Sequence, residues 1–162
     1  MEDDSPYEIS ITRADVDRDV SDRKLVDVIE ATLRLHHVTR ATISVALVDD
    51  PQIAELNAAH LTHNGPTDVL TFDLLDEKDR SGNSHNHRIE GEIVVSVDTA
   101  AREAESRGHD ITTELALYVV HGTLHLLGFE DQASEEAARM HALEDDILSS
   151  LGVGPVFRRP ER

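Results

Sequence analysis

The sequence predicts a single domain that combines α-helices with a few β-strands, and three observations favour this fold class. The chain has 162 residues, and domains typically have about 100–150 residues, so we expect one core over residues 1–162. Four short segments have the pattern of strands, and longer segments with helical spacing separate and follow them. Apolar residues make up 39% of the chain and aromatic residues 3%, which favours an aliphatic core. Residues 1–6 are expected to form a flexible tail and residues 76–88 a flexible loop.

The first half of the chain is predicted to alternate strand and helix. Apolar and polar residues alternate from Tyr7 to Ile11, as in a half-buried strand. An amphipathic helix follows, in which Ser21 or Asp22 can cap the first turn. Ala41–Val48 is the second predicted strand, and Asp49-Asp50-Pro51 is expected to start the next helix, with proline at the first position, where it is tolerated.

The second half is predicted to contain two more strands and three helices. Asp68–Leu74 is the third strand and Glu92–Val97 the fourth, which is rich in β-branched residues. Asp98 is expected to cap a helix that runs to Arg107.

The following helix is predicted to be central and buried. Thr112 or Thr113 is expected to open it, and Gly128 suits the left-handed position that ends a helix. Its apolar residues are too widely spread around the helix for a surface stripe; they are Leu115, Leu117, Tyr118, Val119, Val120, Leu124 and Leu127. A last amphipathic helix is predicted from Ser134 to Leu151.

The strongly acidic composition limits the partners that the chain can attract. A formal net charge of −18 repels nucleic acids and anionic membranes at long range, so a polyanionic substrate requires a locally positive site. Much of the acid lies in stretches such as Glu2–Asp4 and Glu144–Asp146, which we interpret as solvated surface.

Targeting signals, membrane spans and thiol chemistry are not predicted. No apolar run approaches the roughly 20 residues that cross a bilayer, and the N-terminus MEDDSPYEIS lacks the order of a secretory signal. We therefore expect a cytoplasmic protein without a membrane partner. The chain has no cysteine, so imidazole and carboxylate are the ligands that it can offer to a metal ion.

The stretch HGTLHLLGFED is the strongest candidate for a functional site. His121 and His125 are four residues apart on the predicted central helix, so both rings project from one face and can bind one ion. Asp131 follows the turn at Gly128 and can supply a third ligand. Three protein ligands leave a fourth position for water, as in catalytic zinc sites, and the metal-bound water would be the catalytic group.

Another interpretation of this stretch remains open. The two histidines can be hydrogen-bonded core residues, with Asp131 as a cap of the last helix. Position 122 is glycine, so the stretch is not the HExxH motif of zinc peptidases, whose glutamate acts as general base. Gly122 instead allows either a substrate or a neighbouring strand to approach closely.

Three segments taken together resemble the successive motifs of the YbeY family. They are PTDVLTF (Pro66–Phe72), GEIVVS (Gly91–Ser96) and ELALYVVHGTLHLLGFED (Glu114–Asp131). The resemblance implies an α+β fold with a small mixed four-stranded sheet packed with helices around a central metal-bearing helix. It also implies a single-strand-specific endoribonuclease that binds one zinc ion or another divalent transition metal. Its implied partners are single-stranded RNA, rRNA and the small ribosomal subunit, with roles in 16S rRNA 3′-end maturation and ribosome quality control.

The chain departs from the family pattern at two positions. The family commonly has a third histidine where Asp131 stands, and Glu130 is a rival ligand beside it. Many members also carry an arginine at the position of Leu61, which is thought to face the scissile phosphate. We expect one of three nearby side chains to compensate for that arginine, namely His60, His63 or Arg88.

Thr67 and Asp68 are candidates for orienting a ligand histidine, although a turn and the start of a strand explain them equally well. Two other functions stay open beside the endoribonuclease. The chain can be a ribosome-associated assembly factor with a mainly structural metal, or a metal-dependent hydrolase of another substrate.

Overall fold

The computed structural model describes residues 6–13, 20–60, 69–74, 88–129 and 133–152, and it describes no side chain within residues 58–60. These ranges contain four strands and five helices. The strands are β1 (Tyr7–Arg13), β2 (Arg40–Val48), β3 (Val69–Asp73) and β4 (Arg88–Ser96). The helices are α1 (Asp22–Leu35), α2 (Asp50–His60), α3 (Val97–Arg107), α4 (Ile111–Leu126) and α5 (Ser134–Ser150).

The four strands form one mixed sheet in the order β1-β2-β4-β3. Strand β2 pairs in parallel with β1 and with β4, whereas β3 runs antiparallel to β4 at the edge. The α+β fold class with a mixed four-stranded sheet is therefore confirmed. Strand β4 begins four residues earlier than the sequence indicated, because RIEG continues the alternation and pairs with the start of β2.

The two faces of the sheet are covered differently. Side chains at odd positions of β4, such as Ile93 and Val95, belong to the main core, which also contains the apolar residues of α1 and α4. A smaller apolar cluster on the opposite face joins Ile53 of α2 to Leu70 and Val94. Because side chains alternate along a strand, β4 contributes to both clusters.

Helix α4 packs very closely against the sheet at Gly122. A Cβ atom at this position would lie 2.9 Å from Cγ2 of Ile93 and 3.2 Å from Cγ2 of Thr71. Glycine therefore allows strands β3 and β4 to approach the helix. The sequence left open whether a substrate or a neighbouring strand would approach at Gly122, and in the structure the strands do so. The predicted burial of α4 is confirmed, since Leu115, Val119 and other core residues of this helix are inaccessible.

Several helix ends agree with the sequence. Ser21 caps α1 by accepting a hydrogen bond from Lys24 N. Asp49 caps α2 in a reciprocal arrangement, since its carboxylate accepts from Gln52 N and the Gln52 side chain accepts from Asp49 N, both at 2.9 Å. Gly128 follows α4 with φ of 105°, as expected for the left-handed position.

Two predicted caps are wrong. The hydroxyl of Ser96, not Asp98, caps α3, because β4 ends one residue earlier than the apolar run suggested. Asp98 instead accepts a hydrogen bond from Asp50 N at 3.0 Å, at the start of α2. Helix α4 starts at Ile111 and is capped by Asp110, whose carboxylate accepts from Thr113 N at 2.8 Å, so neither Thr112 nor Thr113 opens it.

The prediction that residues 144–146 are solvated is also wrong for two of them. Glu144 and Asp145 are completely buried, and only Asp146 is exposed. None of the described helices is both long and apolar enough to cross a membrane.

Candidate functional site

The two histidines of the candidate site face each other near the C-terminal end of α4. Their Nε2 atoms lie 3.1 Å apart, and the ring planes are nearly perpendicular at 83°. The spacing of four residues produces this arrangement, since residues i and i+4 lie on the same face of a helix. The structure therefore brings His121 and His125 together, as the sequence predicted.

Both rings are held through their other nitrogen atoms. Nδ1 of His121 lies 2.5 Å from Oε2 of Glu144 on α5, and Nδ1 of His125 lies 2.9 Å from the backbone oxygen of Phe129. A carbonyl and an ionised carboxylate only accept hydrogen bonds, so each Nδ1 carries the proton. In the neutral rings, each Nε2 then presents a lone pair.

Two lone pairs that face each other at 3.1 Å repel unless a positive charge lies between them. That charge can be a proton on one ring or a metal ion bound by both. The Nδ1 contacts match the usual surroundings of metal-binding histidines, which donate the remaining ring N–H to a carboxylate or a backbone carbonyl. The pair is thus arranged as two convergent nitrogen ligands.

Glu144 is the functional residue that the sequence analysis missed. Its side chain is completely buried, whereas His121 keeps 25% of its side-chain accessibility. Among the described residues, Oε1 of Glu144 is buried without a hydrogen-bond partner. A buried carboxylate is stable only when paired with positive charge, so Glu144 favours a cation at the histidine pair. The available signal was its helical spacing from Met140 and Leu148, both of them buried.

The end of α4 positions the second histidine. Phe129 N donates to Leu124 O and Gly128 N donates to His125 O, both at 3.0 Å, which is the Schellman arrangement with a left-handed glycine. This turn brings the carbonyl of Phe129 back to His125. The ring of His36 packs edge-on against Phe129, with centroids 5.3 Å apart, so α1 supports the same turn.

Several predicted site residues lie outside the described residues. They are His63, Thr67, Asp68, the rival ligand Glu130 and Asp131, together with the side chain of His60. The third ligand therefore remains a prediction. Within the described ranges, no group of three or more histidine, cysteine or acidic residues is arranged to hold a metal ion.

Arg88, the remaining predicted site residue, does not lie beside the histidines. Its neighbours Ile89 and Gly91 face α4, so alternation along the strand places Arg88 on the opposite face of the sheet. Its guanidinium lies 2.6 Å from the carboxylate of Glu90.

A second polar cluster surrounds Glu114, near the start of α4. This carboxylate is completely buried, and its oxygens lie 2.6 Å from Nε2 of His109 and 3.1 Å from the guanidinium of Arg107. Glu114 and His121 are seven residues apart, so they lie on the same side of α4. The cluster joins the end of α3 to the helix that carries the histidines.

Comparison with known proteins shows that the chain is similar to members of one protein family. A family model described as "Endoribonuclease YbeY" matches residues 7–152. Among curated proteins, the "Endoribonuclease YbeY" of Carboxydothermus hydrogenoformans is 38% identical over 135 residues, which cover 82% of this chain and 90% of that protein. The protein of the same name from Moorella thermoacetica is 40% identical over 117 residues, which cover 70% and 74%.

A solved structure has the same fold. The solution structure of TM1509 from Thermotoga maritima superposes with a TM-score of 0.56 at 25% sequence identity, and the match covers 95% of this chain and 99% of that one. The comparison extends over both the sheet and the helices.

Proposed function

Since the chain belongs to the YbeY endoribonuclease family, we propose that it is a metal-dependent endoribonuclease that cleaves single-stranded RNA. We propose further that it acts in 16S rRNA 3′-end maturation and ribosome quality control. The observation that carries the metal dependence is the 3.1 Å approach of the two Nε2 atoms, with both Nδ1 atoms held by hydrogen-bond acceptors.

The residues present fit a zinc ion or a similar divalent metal. Zinc binds histidine nitrogen at about 2.0–2.1 Å with tetrahedral geometry, which separates two such nitrogens by about 3.3 Å. The separation of His121 and His125 is close to this value. Asp131 is the proposed third ligand, because a carboxylate oxygen can replace the family's third histidine.

The bound metal would supply Lewis-acid chemistry at the phosphodiester and a more acidic water molecule. The chain's own residues hold the two imidazoles in place for this purpose. Glu144 keeps the proton on Nδ1 of His121 and raises the basicity of Nε2, and the carbonyl of Phe129 does the same for His125. Gly122 lets the helix rest directly on β3 and β4, which fixes the position of both rings relative to the sheet.

The test compares cleavage of single-stranded and duplex RNA by the wild type and by His121→Ala and His125→Ala. Both variants should stay folded, lose cleavage and lose bound metal, since each removes one nitrogen ligand. His37→Asn is the matched control, because His37 is exposed with φ of 59° and asparagine tolerates this conformation. Its activity should equal that of the wild type.

The same variants separate the nuclease from an assembly factor with a structural metal. A factor of that kind would show no cleavage in the wild type, and its histidine variants would lose stability. Analysis of the product ends identifies the nucleophile, because attack by the 2′-hydroxyl leaves a cyclic phosphate and attack by water does not. Full cleavage by both histidine variants would refute the proposal.

A further inference from the structure

A groove between α1 and α5 is lined largely by apolar side chains. It has a volume of about 450 Å³, which is in the range of pockets that enclose small molecules, about 300–1,000 Å³. Its described walls are Ala31, Leu35 and His36 at the end of α1, and Leu143, Asp146, Ile147 and Ser150 of α5. Leu35 is 53% exposed, so the groove presents apolar surface whose burial by another segment is favourable.

The end of α5 directs the residues that follow it toward this groove. Gly152 has φ of 75°, and its N–H donates to Ser149 O at 3.1 Å, which is one of the bonds of the Schellman arrangement. In that arrangement the residue after the left-handed glycine commonly contacts a side chain five or six positions earlier. The contacts expected for Val153 are therefore Leu148 and Ile147, and Ile147 lines the groove.

The next segment has a composition that suits an apolar groove on an acidic protein. Residues 153–162 lie outside the described residues and have the sequence VGPVFRRPER. In this segment Val156 and Phe157 precede Arg158 and Arg159. The apolar pair gains free energy when it leaves water, and the two arginines are attracted to a chain whose net charge is −18.

The length of the segment matches the length of the groove. The wall of α5 from Leu143 to Ser150 spans seven residues, or about 10 Å at the helical rise of 1.5 Å per residue. Phe157 follows Gly152 by five residues, which reach up to about 17 Å when extended. A chain that turns back at Gly152 can therefore follow this whole wall. The arginine after Phe157 can then donate to Asp146, since a carboxylate accepts several hydrogen bonds.

We infer that residues 153–159 dock in the groove between α1 and α5, with the ring of Phe157 inserted between the two helices. The groove adjoins the histidine site, because His36 lines it and also packs edge-on against Phe129. The carbonyl of Phe129 in turn accepts a hydrogen bond from Nδ1 of His125. The docked segment thus lies against the side chain that supports this turn from α1. Docking depends on packing and charge and does not require a bound metal.

The test uses the absence of tryptophan from the chain. Phe157→Trp introduces a single indole, whose fluorescence moves to shorter wavelength when the ring leaves water. The emission maximum of this variant should lie at shorter wavelength in buffer than in concentrated urea. Adding Leu35→Asp should remove most of this shift, because a carboxylate in the groove opposes the burial of an apolar ring beside it.

Leu74→Asp is the matched control, since Leu74 is exposed to a similar degree, 58%, just after β3. Adding it to Phe157→Trp should leave the shift unchanged, and circular dichroism checks that each variant is folded. Equal emission maxima in buffer and in urea would show that the ring is solvated and would overturn the docking. A shift that survives Leu35→Asp would place the ring elsewhere and overturn it too. A shift that disappears on dilution would assign the groove to a second copy of the chain instead.

A second measurement avoids the larger indole ring. Phe157→Ala should lower the midpoint of urea unfolding, because it removes the ring that fills the groove. The midpoint should fall by less when Leu35→Ala is already present, since the two side chains share one contact. Equal decreases in both backgrounds would contradict the docking of Phe157 beside Leu35.

Discussion

The buried carboxylate of Glu144 lies 2.5 Å from Nδ1 of His121, so α5 supplies the group that orients a ring on α4. The two residues are 23 positions apart, and the pairing depends on how the two helices pack. The carboxylate has no accessible surface, whereas the imidazole keeps a quarter of its own. The ring is thus anchored from inside the protein and accessible from outside.

This relationship predicts that Glu144→Ala lowers metal affinity without removing a ligand. Removing a hydrogen-bond partner of a metal-binding histidine typically costs about 10–100-fold in affinity. We expect that loss for Glu144→Ala and a smaller one for Glu144→Gln, because glutamine still accepts a hydrogen bond from Nδ1 but has no charge. Zinc affinity measured by competition with a chelator checks the prediction.

Asp146→Asn serves as the control for this measurement. Asp146 is an exposed acid on the same helix, so the zinc affinity of the Asp146→Asn variant should match that of the wild type. Equal affinities for Glu144→Ala and Asp146→Asn would show that the carboxylate is not part of the metal site.

The importance of Glu144 could not be predicted because an acid on an amphipathic helix usually faces solvent. The pair His121 and His125 could be predicted, since their spacing alone places both rings on one side of a helix. The carboxylate that orients His121 comes from another element, and its approach depends on tertiary packing. Only the spacing of Glu144 from Met140 and Leu148 indicated an inward direction.

Gly122 is expected to tolerate no side chain. A Cβ atom at this position would lie 2.9 Å from Cγ2 of Ile93, a methyl group on a β-branched side chain, which moves only if χ1 leaves its preferred rotamer or the strand shifts. We predict that Gly122→Ala destabilises the protein by about 1–3 kcal/mol through overpacking. An alanine in an open helix position would instead stabilise by about 0.5–1 kcal/mol.

The sign of the change in the free energy of unfolding therefore shows whether the helix contacts the sheet closely at Gly122, and urea unfolding measures this change. Adding Ile93→Ala to Gly122→Ala should recover part of the overpacking cost, which a double-mutant cycle detects as a coupling energy. A stabilised Gly122→Ala variant would contradict the close contact between helix and sheet.

The sequence predicted the strands and helices well because their apolar periodicity is strong. The errors occurred at their boundaries. The run EIVVSV reads as strand as far as Val97, but Ser96 has the hydroxyl that caps α3, so the strand ends there. The strand order β1-β2-β4-β3 could not be predicted from local patterns, because it depends on which edges pair in three dimensions.

The carboxylate of Asp50 is expected to make stability depend on pH in the acid range. Burial alone would raise the pKa of Asp50, but hydrogen bonds from Ser96 and Thr99 and the charge of Arg102 outweigh it and lower the pKa below 3.8. The folded state therefore holds this proton less tightly than the unfolded state. The resulting stabilisation is fully present above about pH 4 and is lost as the pH falls through the lowered pKa.

We predict that Asp50→Asn destabilises the protein at pH 7 by about 1.5–3 kcal/mol, the range of a hydrogen bond to a charged group. The difference from the wild type should shrink as the pH falls below 4, because the wild-type carboxylate then becomes neutral as well. Urea unfolding at both pH values measures the difference. Asp27→Asn, at a half-exposed acid, should show no such change, and a difference for Asp50→Asn that persists in acid would contradict the prediction.

The buried carboxylate of Glu114 is expected to depend on both of its basic partners. Arg107→Ala removes the guanidinium at 3.1 Å and leaves His109 as the basic partner that the structure describes. We predict a loss of about 1–3 kcal/mol, since a buried charged acceptor loses a hydrogen-bond partner. Adding Glu114→Gln should lower the free energy of unfolding less in the Arg107→Ala background than in the wild type, as measured by urea unfolding. Equal losses in both backgrounds would refute the coupling between Arg107 and Glu114.

The identity of the third metal ligand gives the last prediction. The described residues that follow α4 extend to Phe129, whose carbonyl lies 2.9 Å from Nδ1 of His125, and Asp131 follows two residues later in the sequence. Consecutive Cα atoms are about 3.8 Å apart, so Asp131 is within reach of the histidine pair. We predict that Asp131→Ala lowers the zinc content of the purified protein strongly and that Glu130→Ala does not. Equal zinc content in Asp131→Ala and the wild type, with a loss in Glu130→Ala, would assign the ligand to Glu130. Asp131→His should bind zinc, in contrast to Asp131→Ala, because it recreates the third histidine of the family and adds no negative charge beside the metal.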